Sequence, residues 1–128
     1  MSTIKSYTDL EQSKKLAEIL PIESADMEYM FLKKDGSKVS NFPFVKDGFE
    51  EPECCYIFIP CWSLAALLDF LPEINGIPLK VEKIKAEDGY NGYYYYIEYK
   101  DIVLIPYSKN PVDACYEMIL KLHELNLL

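Results

Sequence analysis

Hydrophobic and polar positions change period several times along the chain, and each change predicts an element. Between Tyr7 and Leu20, the apolar residues Leu10, Leu16, Ala17, Ile19 and Leu20 recur at close to helical spacing. Thr8 and Glu11 have the spacing of a capping box, in which the threonine oxygen takes a backbone N–H and the glutamate reaches back. Pro21 stops the helix. From Asp26 to Leu32 the period falls to two: Met27, Tyr29 and Phe31 alternate with Asp26, Glu28 and Met30, as in a strand. Lys34-Asp35-Gly36-Ser37 is a turn signal. Val39 to Val45 returns as a second strand, confined to a sheet edge by Pro43. A turn at Asp47-Gly48 leads into the acidic stretch Glu50 to Glu53.

Cys55 to Ile59 is a short apolar run rich in strand formers. Cys61 to Leu71 predicts a helix, with Leu64, Leu67, Leu68 and Leu71 on one side and Ala65 and Phe70 widening the apolar surface. Pro78 to Tyr107 predicts a three-stranded meander. Its first strand, Leu79 to Ala86, shifts phase between Val81 and Ile84, which suggests a bulge. A loop from Asp88 to Gly92 precedes the strand Tyr93-Tyr94-Tyr95-Tyr96-Ile97-Glu98-Tyr99, and Lys100-Asp101 turns the chain into Ile102 to Tyr107. The last helix has Asn110 as N-cap and Pro111 at its first position. Val112, Cys115, Ile119, Leu122 and Leu125 form its stripe, with Met118 beside it. The order predicts a single α+β domain over residues 1–128: an antiparallel sheet, including a C-terminal three-stranded meander, packed with about three helices.

Composition narrows the function. The chain has 128 residues, is 50% hydrophobic and carries a net charge of −8. All 13 basic residues are lysines. Without arginine the chain lacks the planar fork that grips phosphate and reads base edges, so nucleic acid is not an expected partner. The polar stretch Met1 to Gln12 does not read as a signal peptide. Cys54 to Leu71 is apolar but interrupted by Pro60 and flanked by acids, which favours a buried strand and helix over a membrane span. A soluble, cytoplasmic protein with free thiols is the expectation for Cys54, Cys55, Cys61 and Cys115.

Three stretches carry a resemblance: Tyr7-Thr8-Asp9-Leu10-Glu11-Gln12-Ser13 running on to Asp26-Met27; Ile59-Pro60-Cys61-Trp62-Ser63-Leu64-Ala65-Ala66-Leu67-Leu68; and Asn110-Pro111-Val112-Asp113-Ala114-Cys115 through Leu128. They resemble a family of small proteins of anaerobic gut bacteria, carried on prophages and related mobile elements, for which no activity is established. The resemblance implies a cytoplasmic accessory protein of phage type, and it supplies no site residues.

The search for chemistry returns little. The five glycines form no phosphate-binding loop or nucleophile elbow. Cys61 at a predicted helix start, with a thiolate favoured there, and His123, the sole imidazole, make a conceivable nucleophile–base pair. The competing reading is a small buried thiol and a surface histidine. Cys54, Cys55, Cys61, Cys115 and His123 lack the spacing of a zinc knuckle, and neither metal nor cofactor is implied. Asp26 with Glu28, and Asp47 with Glu50, Glu51 and Glu53, read as solvated acidic surface without a calcium-loop register.

The tyrosine strand remains. Tyr93, Tyr95, Ile97 and Tyr99 share one face, and Tyr94 and Tyr96 the other. One face enters the core. The other is either covered by a loop such as Asn41 to Glu53 or open to a partner. Tyr94 and Tyr96, flanked by Lys83 and Lys85 of the neighbouring strand, would form an aromatic patch with a charged rim, suited to a protein partner or a homodimer. The sequence therefore points to a non-enzymatic binding protein. The alternatives are an acidic decoy that mimics nucleic acid to occupy a DNA-binding protein, and a cysteine-dependent enzyme.

Overall fold

A computed structural model of the protein describes residues 5–46, 55–71, 80–85, 93–98 and 107–128. The fold is α+β, with three α-helices and two three-stranded antiparallel sheets among the described residues. The chain divides into two compact units, Tyr7–Ala66 and a second made of Met1–Ser6 with Leu67–Leu128. Among the described residues no helix is long and apolar enough to cross a membrane.

In the first unit, helix α1 spans Leu10–Ala17, a single 3-10 turn covers Ile22–Ser24, and strands β1 (Met27–Leu32), β2 (Phe44–Val45) and β3 (Tyr56–Cys61) form a sheet in the order β2-β1-β3. The capping box is one residue later than the sequence suggests. Asp9 accepts from the Gln12 N–H at 2.8 Å, and the Gln12 side chain accepts from the Asp9 N–H at 3.1 Å. Thr8 is drawn elsewhere: its hydroxyl accepts from the Trp62 N–H at 3.1 Å and lies 2.8 Å from the Ser13 hydroxyl. The turn after β1 forms as expected, with Gly36 at φ 73° and Asp35 accepting from both the N–H and the hydroxyl of Ser37. Of the predicted return strand only Phe44–Val45 forms a strand beside β1, at the sheet edge that Pro43 demands, while Val39 makes a single backbone bond to Met30.

Strand β3 runs two residues beyond its predicted end, through Pro60 to Cys61. Hydrogen-bond phase explains why proline is tolerated. The Lys33 N–H donates to the Cys55 carbonyl at 3.0 Å. With Phe31 opposite Ile57 and Tyr29 opposite Ile59, the odd-numbered residues of β3 turn their backbone groups toward β1. Tyr56, Phe58 and Pro60 turn theirs away, so the missing N–H of Pro60 breaks no ladder bond. The even-numbered residues of β1 likewise face the β2 side, where Leu32 donates to Ser37 and Val39 donates to Met30.

The core of this unit is Leu16, Leu20, Ala25, Tyr29, Cys61 and Trp62, with the buried hydroxyls of Thr8 and Ser13 inside it. No buried side-chain polar atom among the described residues lacks a partner. Tyr29 donates to the Thr8 carbonyl at 2.8 Å, and the Trp62 indole donates to Ser24 at 2.9 Å.

Helix α2 is shorter than predicted, Leu64–Phe70 rather than Cys61 to Leu71, because β3 claims Cys61. Ser63 accepts from the Ala66 N–H at 3.2 Å and so caps the helix. The Asp26 carboxylate in turn accepts from the Ser63 N–H at 2.9 Å and from its hydroxyl. The division between the units falls within α2.

In the second unit, strands β4 (Lys80–Lys85), β5 (Tyr93–Glu98) and β6 (Tyr107–Ser108) form an antiparallel sheet in the order β4-β5-β6, and helix α3 (Pro111–Glu124) packs on β5 and β6. Pairing is one-to-one from Lys80 with Glu98 to Lys85 with Tyr93. The expected bulge between Val81 and Ile84 is therefore absent. The predicted turns at 88–92 and 100–101, the strand residues 102–106 and the acidic stretch 47–53 lie outside the described residues. Asn110 caps α3 by accepting from the Asp113 N–H at 2.8 Å, and the Lys5 ammonium reaches Asp113 at 2.6 Å. Val112, Ala114, Cys115, Met118, Ile119 and Leu122 are buried, whereas the predicted stripe residue Leu125 is 44% exposed at the C-cap.

Candidate functional site

The β4–β5 register sorts the residues of the predicted patch. Tyr94 lies opposite Ile84 and Tyr96 opposite Glu82; Tyr93 lies opposite Lys85 and Tyr95 opposite Lys83. Directly opposed residues of an antiparallel pair belong to the same face. Lys83 and Lys85 thus fall on the face of Tyr93 and Tyr95, and the expected grouping of both lysines with Tyr94 and Tyr96 is corrected. A phase shift in β4 would have been needed to bring them together. Lys83 is exposed, and β4 is an edge strand among the described residues. The side-chain surroundings of Tyr94, Tyr96 and Lys85 lie outside the described residues. So does the part of the Asn41-to-Glu53 segment beyond Lys46, one of the two alternatives for what meets the second face.

The Cys61 reading changes as well. Cys61 ends a strand and is fully buried. Its sulfur lies 3.6 Å from the Thr8 hydroxyl, and its thiol donates to the Thr8 carbonyl at 3.4 Å. Burial pushes this thiol up, against the opposing pull of hydrogen bonds from Thr8, Ser13 and Tyr29. The expectation of a thiolate favoured by a helix N-terminus is thereby reversed. Cys115 is also buried, and desolvation pushes it up to about 12. Cys55 is exposed, and His123 sits on the exposed surface of the last turn of α3. Asp26 is occupied in holding Ser63, which gives the Asp26–Glu28 pair a structural use at one of its two members.

A second surface was not singled out from the sequence. On the sheet β2-β1-β3, Tyr29, Ile59 and Cys61 belong to the face that α1 packs against. The opposite face carries Met30, Leu32, Tyr56, Phe58 and Pro60, all half-buried, with Glu28 the charged residue among them. Tyr56 and Phe58 lie with ring centroids 6.3 Å apart. Phe44, at 39% exposure, continues this face, and Phe42 at 66% flanks it. The signal was present in the sequence: β3 is apolar at every position, odd and even, which marks a strand with two apolar faces.

Comparison with known proteins adds no relative: no protein-family profile, curated protein or solved structure matches the chain.

Proposed function

We propose that this chain is a non-enzymatic accessory protein that docks another protein on its tyrosine-bearing sheet. The observation that carries the reading is the exposure of Lys83 at the register position of Tyr95. Lys83 sits mid-strand on the Lys83–Lys85–Tyr93–Tyr95 side, whereas the exposed Lys80 on the other side is the first residue of β4, and on that ground the Lys83 side is taken as the outward one. Tyrosine supplies large rigid contact area at low entropic cost, and lysines at the margin supply solubility and orientation. The Tyr94 and Tyr96 positions, opposite Ile84 and Glu82, then belong to the inner side. A cytoplasmic setting and a phage-type accessory role rest on the sequence resemblance. The burial and raised pKa of Cys61 argue against a cysteine nucleophile at that position. Nitration of surface tyrosines in the native chain, located by mass spectrometry, tests the assignment. Modification of Tyr93 and Tyr95 ahead of Tyr94 and Tyr96 is expected; the reverse order would overturn it.

A further inference from the structure

Among the described residues β3 is an edge strand, and its outer side is a short, uncharged strip. Tyr56 and Phe58 direct their backbone N–H and C=O away from β1, and among the described residues no strand pairs with them there. The strip is closed at one end by the chain itself. The Thr8 N–H donates to the Trp62 carbonyl at 2.9 Å and Tyr7 bridges Ser63, so the segment entering α1 occupies the edge beside Trp62. Ile57 lies between the outward-turned Tyr56 and Phe58, and its side chain is 46% exposed.

We infer that this edge pairs with the same edge of a second copy, antiparallel, about a two-fold axis at Ile57. In that register Tyr56 of each copy faces Phe58 of the other, and the outward groups of both residues close four backbone hydrogen bonds. Ile57 meets its own copy in a non-hydrogen-bonded pair, the closer of the two antiparallel pair types. Trp62, where the Tyr7–Thr8 strap lies, falls outside the paired residues 56–58. A register centred on Phe58 brings Pro60 opposite Tyr56, which forfeits a donor. Charge selects the same strip. Two copies of a chain with net charge −8 repel, and Cys54 to Leu68 carries no charged side chain. Exposed, uncharged strand edges are templates for strand addition, and identical edges satisfy each other symmetrically.

This inference concerns a different unit from the tyrosine-bearing sheet and stands independently of it. Light scattering of the full chain over a concentration series tests it. The mass is expected to double toward high concentration, and Ile57→Lys to return it to that of one chain with an unchanged circular dichroism spectrum. Tyr93→Ser with Tyr95→Ser leaves the doubling intact. A second variant guards against misfolding: Ile57→Cys, in a background with Cys54→Ser and Cys55→Ser, forms a disulfide-linked dimer under mild oxidation, while Val39→Cys in that background does not. Non-hydrogen-bonded pairs, with Cα atoms about 4.5 Å apart, lie within disulfide reach. A single-chain mass at every concentration, or a dimer indifferent to Ile57→Lys and not linked through residue 57, overturns the inference.

Discussion

Thr8 shows at the scale of one residue how a distant contact overrides a local pattern. Thr8/Glu11 and Asp9/Gln12 both fit a capping box by spacing, and spacing does not choose between them. The choice is made by the Trp62 N–H, which needs an acceptor in a water-free core and takes the Thr8 hydroxyl. Thr8→Val keeps the shape but strands that N–H, so a loss of roughly 1–3 kcal/mol is expected in denaturant unfolding. The buried thiols yield a pH prediction with a definite sign. Cys115 has a folded pKa of about 12 against an ordinary 9.0, so the unfolded chain releases this proton first as pH rises. Its stabilising contribution is complete below about pH 9 and is lost between there and about pH 12. Cys61 is shifted in the same direction. Stability followed through that window should fall, and Cys115→Ala should flatten the fall. The same burial predicts that a thiol reagent labels Cys55 in the native chain but Cys61 and Cys115 only after unfolding.

The elements were legible where their signals are local. Asn110-Pro111 starts α3 in the structure as in the sequence, because cap and fixed φ act within one turn. Asn110→Ala should cost about 1 kcal/mol, read from chemical denaturation. The start of α2 was misplaced because Cys61-Trp62-Ser63 is equally compatible with a continuing strand, and only the pairing of Cys61 with Met27 decides. The Asp26 carboxylate then holds Ser63 at the helix start, a contact between residues 26 and 63 that no sequence window contains. Asp26→Ala and Ser63→Ala should each destabilise by about 1 kcal/mol, and the double variant by less than their sum, since both remove one network. The side of the tyrosine strand that carries the lysines was equally hidden. Alternation along β5 defines two faces, but the register with β4 decides which face Lys83 and Lys85 join, and alternation within either strand does not fix that register.

For the whole molecule, α+β class and three helices followed from the order of periodic segments, whereas the two-unit organisation did not. Tyr7–Ala66 begins and ends side by side, with Tyr7 bridging Ser63, so it is inserted between Met1–Ser6 and Leu67–Leu128. Such an insertion leaves no linker composition to read, because both crossings lie in ordinary structured sequence. The second apolar face of β2-β1-β3 was missed for a related reason. An all-apolar strand says that both faces are apolar, but not whether the second is covered. The proposed function rests on the sheet of the other unit, and one comparison bears on it most directly. The tagged chain, its Tyr93→Ser/Tyr95→Ser variant and its Tyr94→Ser/Tyr96→Ser variant are used to capture partners from a cell lysate, with each fold checked by circular dichroism. The predicted result is a specific partner whose capture by the Tyr93/Tyr95 variant drops about tenfold or more, equivalent to roughly 1.4 kcal/mol, while any Tyr94/Tyr96 variant that remains folded retains it. Equal capture by all three chains, or loss confined to the Tyr94/Tyr96 variant, would contradict the assignment of the outward face.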